Sequence, residues 1–355
     1  MAALLALAVV AAVVLVLVGR SSPSQPVGRA LSAGATGGST PAASPSASSA
    51  PSTTTTTTTT IPAPTAPFPV GSTTVAVDDV GRQFTAQVFY PSTRSGAGAT
   101  PLRQGGPWPL VVFSPGFDIV PAEYTALVEH WAQAGFVVAV ADYPFTAPGP
   151  AGVNEADIVY HPADLRAVIS DMLSQSANPR SLLAGTVNPA RIGVAGHSDG
   201  GDVTDAVVAN TCCRDPRIKA AAVLSGAELT SFGGTYGAPG VPLLVVQGDA
   251  DQINPPACSE QIYDGAGLPR YYLDLHGAGH RAPYLDTGPY YASAAPPAVY
   301  QAAVDRATLL FWESYLAGDS SALSAFTAGG GLGPDASFTA GAPVALSGSC
   351  PGAPA

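Results

Sequence analysis

Five consecutive residues, Gly196-His197-Ser198-Asp199-Gly200, have the types and spacing of a serine nucleophile held on a tight turn. They follow an apolar run typical of a buried strand and precede a stretch with helical periodicity. Glycine on both sides lets the chain turn closely enough to lift the serine hydroxyl out of a sheet. A helix cap is the alternative, because Ser and Asp are common cap residues. The flanking strand and helix favour a nucleophile, and we predict Ser198 in that role.

A serine nucleophile needs a base, and the base needs a third group that fixes its tautomer. One later loop holds both Asp249 and Asp251. We predict that Asp251 is the acid, because Asp249 directly follows a glycine, where a carboxylate more often caps the turn. The next loop, which contains two glycines, ends at His280, the predicted base. His276 is the competitor, but it lies at the strand end and is expected to face structure or solvent.

Attack on a carbonyl leaves negative charge on its oxygen, which needs backbone N–H donors. We predict that one donor is Asp199 N–H, at the start of the nucleophile helix, and that the other is Phe117 N–H, in the loop that follows Ser114. The Phe117 ring is expected to wall the acyl pocket, and Tyr143 to line the same cleft. Core packing is the alternative for both rings. No metal ligand is assigned, and no metal or organic cofactor is expected.

Strand-like and helix-like segments alternate from residue 70 onward. Two alternating apolar runs around residues 78–81 predict an antiparallel β-hairpin. Continuous apolar runs predict buried strands at 109–114, 136–141, 191–195, 220–224, 241–247 and 271–275. Amphipathic stretches predict helices at 122–134, 162–174, 198–208, 258–263 and 298–316. The alternation predicts an α/β fold with a doubly wound, mostly parallel sheet, whose ligands bind beyond the carboxyl ends of the strands.

The composition divides the 355 residues into four segments. Residues 1–20 are apolar up to Val18 and predict a signal peptide or a membrane anchor. Residues 21–69 are rich in Ser, Thr, Pro and Ala and predict a disordered linker. Residues 70–326 form the predicted catalytic domain, and 327–355 a Gly/Ala/Pro-rich tail that a disulfide through Cys350 would tie down. We therefore expect a protein that is secreted or anchored outside the cytoplasm, with a membrane tether in the anchored case.

Charge and cysteine content narrow the partners. The net charge is −11, and Lys219 is the only lysine, so we expect no nucleic-acid partner. The four cysteines lack zinc-site spacing, and an exported chain permits disulfides. Because adjacent Cys212 and Cys213 seldom bond each other, Cys258 and Cys350 are expected to pair with one of them or with each other. A monomer is expected.

From residue 73 to about 326 the chain resembles the α/β-hydrolase superfamily. The branch it is most similar to holds dienelactone hydrolase-like proteins, chlorophyllases, platelet-activating-factor acetylhydrolases and bacterial polyester-degrading cutinases. The resemblance rests on the loop at 114–117, the nucleophile turn at 196–200, the acid loop at 248–251 and the base loop at 277–280. The chain order Ser198, Asp251, His280 is typical of this superfamily. Since residues 225–240 are too few for a helical cap, we expect no large cap domain and an open cleft.

The chain departs from the cutinase pattern at two positions. Asp199 stands where that group usually has methionine, and Ser225-Gly-Ala-Glu228 follows the strand where it carries a substrate-clamping tryptophan. These differences weigh against polyester cleavage by this chain. The resemblance implies hydrolysis of small-molecule or polymeric carboxylic esters through an acyl-enzyme. The alternatives are acyl transfer to a cell-envelope glycan or lipid, and a non-catalytic surface binding protein.

Acidic residues near the proposed mouth suggest a preference for substrate charge. The sequence places Asp118, Asp199, Asp202 and Asp205 close to the predicted nucleophile and oxyanion loop. Carboxylates at a cleft repel anions. We therefore predict that neutral esters are favoured over anionic ones.

Overall fold

The computed structural model describes residues 65–149, 152–286 and 293–351. The predicted signal peptide or anchor lies outside these residues, as does the predicted linker up to residue 64. None of the helices in the described part is long and apolar enough to cross a bilayer.

One ten-stranded sheet forms the centre of the fold. Its strands are β1 (Val70–Asp79), β2 (Arg82–Pro91), β3 (Gly96–Ala97), β4 (Trp108–Ser114), β5 (Val137–Asp142), β6 (Val187–His197), β7 (Ile218–Leu224), β8 (Leu243–Gly248), β9 (Arg270–Leu275) and β10 (Ala336–Ala340). Their order is β10-β9-β8-β7-β6-β4-β5-β2-β1-β3. Strands β4 to β9 run parallel, β1 and β2 form the predicted antiparallel hairpin, and β10 pairs antiparallel with β9.

Within the described residues, six helices flank the sheet. They are α1 (Thr125–Gln133), α2 (His161–Ala177), α3 (Asp199–Ala209), α4 (Pro256–Gly265), α5 (Pro297–Trp312) and α6 (Ser320–Thr327). Proline occupies the first turn of α2, α4 and α5, where an N–H group would have no helical partner. Short 3₁₀ turns lie at Pro121–Tyr124, Glu155–Tyr160 and Thr230–Phe232, and a π turn at Glu313–Ala317 follows α5.

The sheet separates two hydrophobic clusters, which explains why its central strands consist mostly of apolar residues. In β4, Leu110 and Val112 face one cluster, and Val111 and Phe113 face the other. Helices α2, α3 and α4 cover the first cluster, and α1, α5 and α6 cover the second. This arrangement confirms the predicted α/β-hydrolase fold. Between β7 and β8 the chain forms only one short 3₁₀ turn, so this connection contains no cap domain.

Two disulfides close parts of this fold. Cys258 in α4 bonds Cys350 in the tail. Cys212 bonds its neighbour Cys213, although adjacent cysteines seldom bond each other, and Cys258–Cys350 is one of the pairings that the sequence left open. Because the tail runs back past α4 after β10, Cys350 reaches Cys258 and leaves the adjacent pair to each other. The tail is thus part of the fold and adds its outermost strand next to β9.

Candidate active site

The turn between β6 and α3 holds Ser198 at the carboxyl end of the sheet. Ser198 has φ 58° and ψ −127°, a conformation that side chains other than glycine seldom adopt. A Cβ atom on Gly196 would lie 2.0 Å from the carbonyl oxygen of Gly200, and one on Gly200 would lie 1.8 Å from that of Ser114. Any larger residue at either position would push α3 away from the sheet. The glycines are therefore required by the close approach of three backbone segments.

The structure brings the three predicted side chains together. His280 Nε2 lies 2.8 Å from Ser198 Oγ, and His280 Nδ1 lies 2.7 Å from Asp251 Oδ2. Because the carboxylate can only accept, the ring carries its proton on Nδ1, and Nε2 is free to accept from the serine hydroxyl. Exposed fractions of 8% for Ser198, 5% for Asp251 and 7% for His280 keep all three largely out of water. The arrangement is suited to proton transfer from Ser198 to His280.

Asp251 is held in place by several donors. Its Oδ1 accepts from the backbone N–H groups of Ile253 at 2.8 Å and Asn254 at 3.0 Å, and Gln247 Nε2 lies 3.3 Å from Oδ2. Gln247 is fully buried in β8, and sequence reasoning did not single it out. The signal that could have identified Gln247 is its place near the end of β8, directly before the acid loop. These contacts fix the carboxylate that faces His280.

The competing residues have other contacts. Asp249 Oδ1 accepts from Gly277 N–H at 2.6 Å, so this carboxylate ties the acid loop to the base loop. The side chain of His276 is 46% exposed and lies 3.8 Å from Asp274. Neither residue contacts Ser198 or His280 through a side-chain hydrogen bond in the described part of the chain. Asp249 therefore connects two loops, and His276 faces solvent.

Phe117, Asp199, Ser198 and His280 line one cleft of about 750 Å³. The oxyanion loop, residues 115–118, lies against the nucleophile: a Cβ atom on Gly116 would be 3.0 Å from Ser198 Cβ. The backbone N–H of Asp118 donates to the carbonyl of Thr146 at 2.9 Å, which anchors the far end of this loop. Both predicted oxyanion residues therefore border the space next to Ser198.

Tyr143 does not line this cleft, which corrects the prediction that it contacts substrate. Its ring is only 3% exposed, and its hydroxyl lies 2.7 Å from Ser114 Oγ. The ring stacks on His161 with 4.0 Å between centroids and packs near Phe84. The structure thus fits core packing, the alternative interpretation of this residue, and the Tyr143 hydroxyl bonds Ser114 at the end of β4.

The acidic residues near the nucleophile fall into two groups. Asp118 and Asp199 line the cleft, together with Glu155 and Arg281. Asp202 and Asp205 do not, because they are 4% and 1% exposed and face the core. Burial raises the pKa of both carboxyls well above the ordinary value. The predicted acidic mouth is therefore formed by fewer aspartates than expected, with Glu155 added.

Asp202 has a structural contact instead: its Oδ1 accepts from Ala227 N–H at 2.6 Å and thereby fixes the segment after β7. Asp199 is partly buried, and in the described residues its Oδ2 has no hydrogen-bond partner. Burial, followed by the charge of Glu155, raises the pKa of Asp199 to about 7. The side chain of Asp199 thus changes charge near neutral pH inside the cleft.

One group of side chains has the donor types of a metal site. Asp157, His161 and Asp164 are buried, and their ligand atoms lie within 4.8 Å of one another. Arg82 already donates to both carboxylates, at 2.7 and 3.1 Å to Asp157 and 2.8 and 3.0 Å to Asp164. A guanidinium that is bidentate to both groups supplies the positive charge that a metal would bring. This cluster is therefore a buried ion-pair network beside the site.

Two comparisons with known proteins found similarities to this chain. A family model described as PET hydrolase-like matches residues 43–288, a range that includes Ser198, Asp251 and His280. The chain is also similar to a bis(hydroxyethyl) terephthalate hydrolase of Streptomyces coelicolor, with 28% identity over 233 residues. The alignment covers 62% of this chain and 66% of that curated relative, so the chain spans just under two thirds of the relative's length.

Proposed function

Because the chain belongs to the PET hydrolase-like family, we propose that it is a carboxylic ester hydrolase whose triad is Ser198, His280 and Asp251. The observation that carries the proposal is the hydrogen-bonded series from Ser198 Oγ through the His280 ring to Asp251, with distances of 2.8 and 2.7 Å. It stands at the border of the 750 Å³ cleft, at the carboxyl end of the parallel strands. Membership of the polyester-hydrolase branch agrees with the resemblance found in the sequence.

The proposed reaction is acyl transfer in two steps. Ser198 Oγ attacks the ester carbonyl carbon while His280 Nε2 takes the hydroxyl proton, and Asp251 stabilises the resulting imidazolium. The N–H groups of Phe117 and Asp199 bind the developing oxyanion. His280 then gives its proton to the leaving alcohol, and an acyl-enzyme remains. Water, activated by His280, attacks this ester, releases the acid and restores Ser198.

The cleft favours small neutral esters. Phe117, Ile119 and Ile253 provide apolar surface for an acyl group, and Asp118 and Glu155 place negative charge at the border. The relative is named as a hydrolase of bis(hydroxyethyl) terephthalate, an uncharged aromatic diester. We take esters of this kind as the substrate class. A chain with Asp199 in place of methionine is expected to cleave such soluble esters better than a solid polyester.

Export is part of the proposal. The Cys258–Cys350 bond fits an oxidising compartment outside the cytoplasm. The apolar residues 1–20 would direct the chain there, and residues 21–69 would separate the enzyme from a membrane or wall. The proposed catalytic domain then comprises residues 70–326 together with the tail that adds β10.

The test compares the full chain with Ser198→Ala on p-nitrophenyl acetate, p-nitrophenyl butyrate and bis(2-hydroxyethyl) terephthalate. We expect the variant to lose at least about 10⁴-fold in kcat, and His276→Ala to keep the activity of the parent. Equal rates in Ser198→Ala and the parent would remove Ser198 from the mechanism. Added glycerol distinguishes the two acyl acceptors, since a transferase would form the glycerol ester faster than free acid.

A further inference from the structure

His197, the residue before the nucleophile, connects the oxyanion loop to the base loop. It is fully buried, and its two ring nitrogens point to different parts of the site. Nδ1 lies 2.9 Å from the hydroxyl of Tyr124, and Nε2 lies 2.9 Å from the carbonyl oxygen of His280. The same Tyr124 hydroxyl lies 3.0 Å from the backbone nitrogen of Gly116. Three hydrogen bonds thus connect the oxyanion loop to the base loop through one imidazole.

The direction of each bond follows from the groups involved. The His280 carbonyl can only accept, so His197 carries its proton on Nε2. In the neutral ring Nδ1 is then an acceptor, and the Tyr124 hydroxyl must donate to it. The Tyr124 oxygen accepts from Gly116 N–H. Each of the three donors therefore has an acceptor, and the three hydrogen bonds from Gly116 to His280 can form at the same time.

Both ends of this series of hydrogen bonds are adjacent to reacting groups. Gly116 precedes Phe117, the proposed oxyanion donor, and packs against Ser198. His280 is the proposed base, and its carbonyl fixes the backbone from which its ring extends. The His197 ring also packs against the His280 ring with 4.7 Å between centroids. A change of about 1 Å in either loop would alter the attack geometry, to which catalytic rates are sensitive.

The surroundings hold this arrangement rigidly. Tyr124 is fully buried, and its ring packs 4.7 Å from Phe113 of β4. The Tyr284 ring also packs against His197, with 4.7 Å between the ring centroids. Burial, followed by the nearby His280, lowers the pKa of His197 well below its ordinary value, so the ring stays in the neutral form that the bonding pattern requires.

We propose that His197, bonded through Tyr124, is a positioning residue that holds the oxyanion loop and the base loop at a fixed separation. This inference rests on the proposed function, since it assigns a role in the same reaction. His197 is not among the residues that line the cleft, and its ring nitrogens are bonded to Tyr124 and to the His280 carbonyl. Its removal should therefore lower kcat and leave KM little changed, because ground-state binding in the cleft is retained while transition-state alignment is lost.

The variants separate the two halves of the link. Asparagine offers its side-chain oxygen near the position of Nδ1, whereas glutamine offers its amide N–H near the position of Nε2. We expect His197→Phe to lower kcat on p-nitrophenyl acetate by at least about tenfold, with KM within about twofold. His197→Asn and His197→Gln should each recover part of this loss. Tyr124→Phe breaks the link from the other side, and the double variant with His197→Phe should be no slower than the slower single variant.

Hydrogen exchange provides a readout that does not depend on catalysis. The N–H of Gly116 should exchange at least about tenfold faster in Tyr124→Phe and His197→Phe than in the parent, because its acceptor is lost or displaced. His276→Phe, directly before the base loop and outside the link, should change neither exchange nor kcat. Circular dichroism and thermal unfolding identify variants that fail to fold, for which the asparagine and glutamine variants are the substitutes.

The possible results are distinct. Unchanged Gly116 exchange in both variants would overturn the link itself. Faster exchange with kcat within twofold of the parent would overturn its role in positioning, and so would multiplicative losses in the double variant. If the parent cleaves no ester, the proposed function fails while the exchange data still decide whether the link exists.

Discussion

Asp199→Asn is expected to change how the stability of the protein depends on pH. Burial, with a smaller contribution from Glu155, raises the pKa of Asp199 from 3.8 to about 7. In the unfolded chain this carboxyl keeps its ordinary pKa. Between about pH 4 and about pH 7 the folded protein therefore holds a proton that the unfolded chain has lost, and the free energy of unfolding falls as the pH rises. At about 1.4 kcal/mol per pKa unit, this difference corresponds to about 4 kcal/mol.

The measurement is urea unfolding of the parent and Asp199→Asn from pH 5 to pH 8. The two free energies of unfolding should diverge as the pH rises, with the variant gaining on the parent until the carboxyl is fully ionised above about pH 8. The slope of the difference is the test, because the new amide also changes the stability by an amount that is independent of pH.

Glu155→Gln adds a second check of the cause. Without the neighbouring charge, the pKa of Asp199 should fall part of the way toward 3.8, so the stability of this variant should change over a lower pH range than in the parent. Parallel curves for the parent and Asp199→Asn over the whole range would refute the reasoning, because they would mean that Asp199 has the same pKa in the folded and unfolded chain.

The same titration has a consequence for substrates. An ionised Asp199 next to Glu155 repels an anionic half-ester, whereas a protonated one does not. The ratio of kcat/KM for a neutral diester to that for its anionic half-ester should therefore rise from pH 6 to pH 8 in the parent and stay flat in Asp199→Asn. A ratio of one at every pH would contradict the predicted preference for neutral esters.

Three further predictions concern the triad, the ion-pair network and the tail. Asp251→Asn should lower kcat by roughly 10³- to 10⁴-fold, whereas Asp249→Asn should reduce it far less, and steady-state kinetics on one ester compares them. Arg82→Gln should lower the free energy of unfolding by about 3 kcal/mol or more, measured in urea, because it leaves two buried carboxylates without a counter-charge; a loss below 1 kcal/mol would contradict this. Cys350→Ser should lower the free energy of unfolding, measured in urea, by about 2–5 kcal/mol, since the bond to Cys258 closes a separation of 92 residues. The double variant Cys258→Ser/Cys350→Ser should lose no more stability than either single variant.

The parts of the site that sequence reasoning located are those with local signals. A strand buried on both faces is apolar throughout, and the turns after β6, β8 and β9 require glycine or carry carboxylate and imidazole groups. The strand order then brings Ser198, Asp251 and His280 to one edge. No long-range information was needed, because the carboxyl ends of parallel strands meet there.

The parts that sequence reasoning missed depend on contacts between distant segments. Tyr124 and His197 are 73 residues apart, and nothing near either residue indicates the other. Helix α3 is buried on nearly every side, so its polar residues do not mark an outer face, and Asp202 and Asp205 were wrongly placed at the mouth. Strand β10 is short and partly exposed, without the apolar run that predicts a strand.

The position of β10 has a consequence for how the molecule avoids self-association. Strand β9 would otherwise form the edge of a long parallel sheet, with unpaired N–H and C=O groups open to another chain. Residues 336–340 cover that edge, and the Phe338 ring stacks on Tyr271 with 5.8 Å between centroids. A chain cut after residue 326 would keep every triad residue but would expose the unpaired edge of β9. We expect such a chain to aggregate in solution even if its active site is intact.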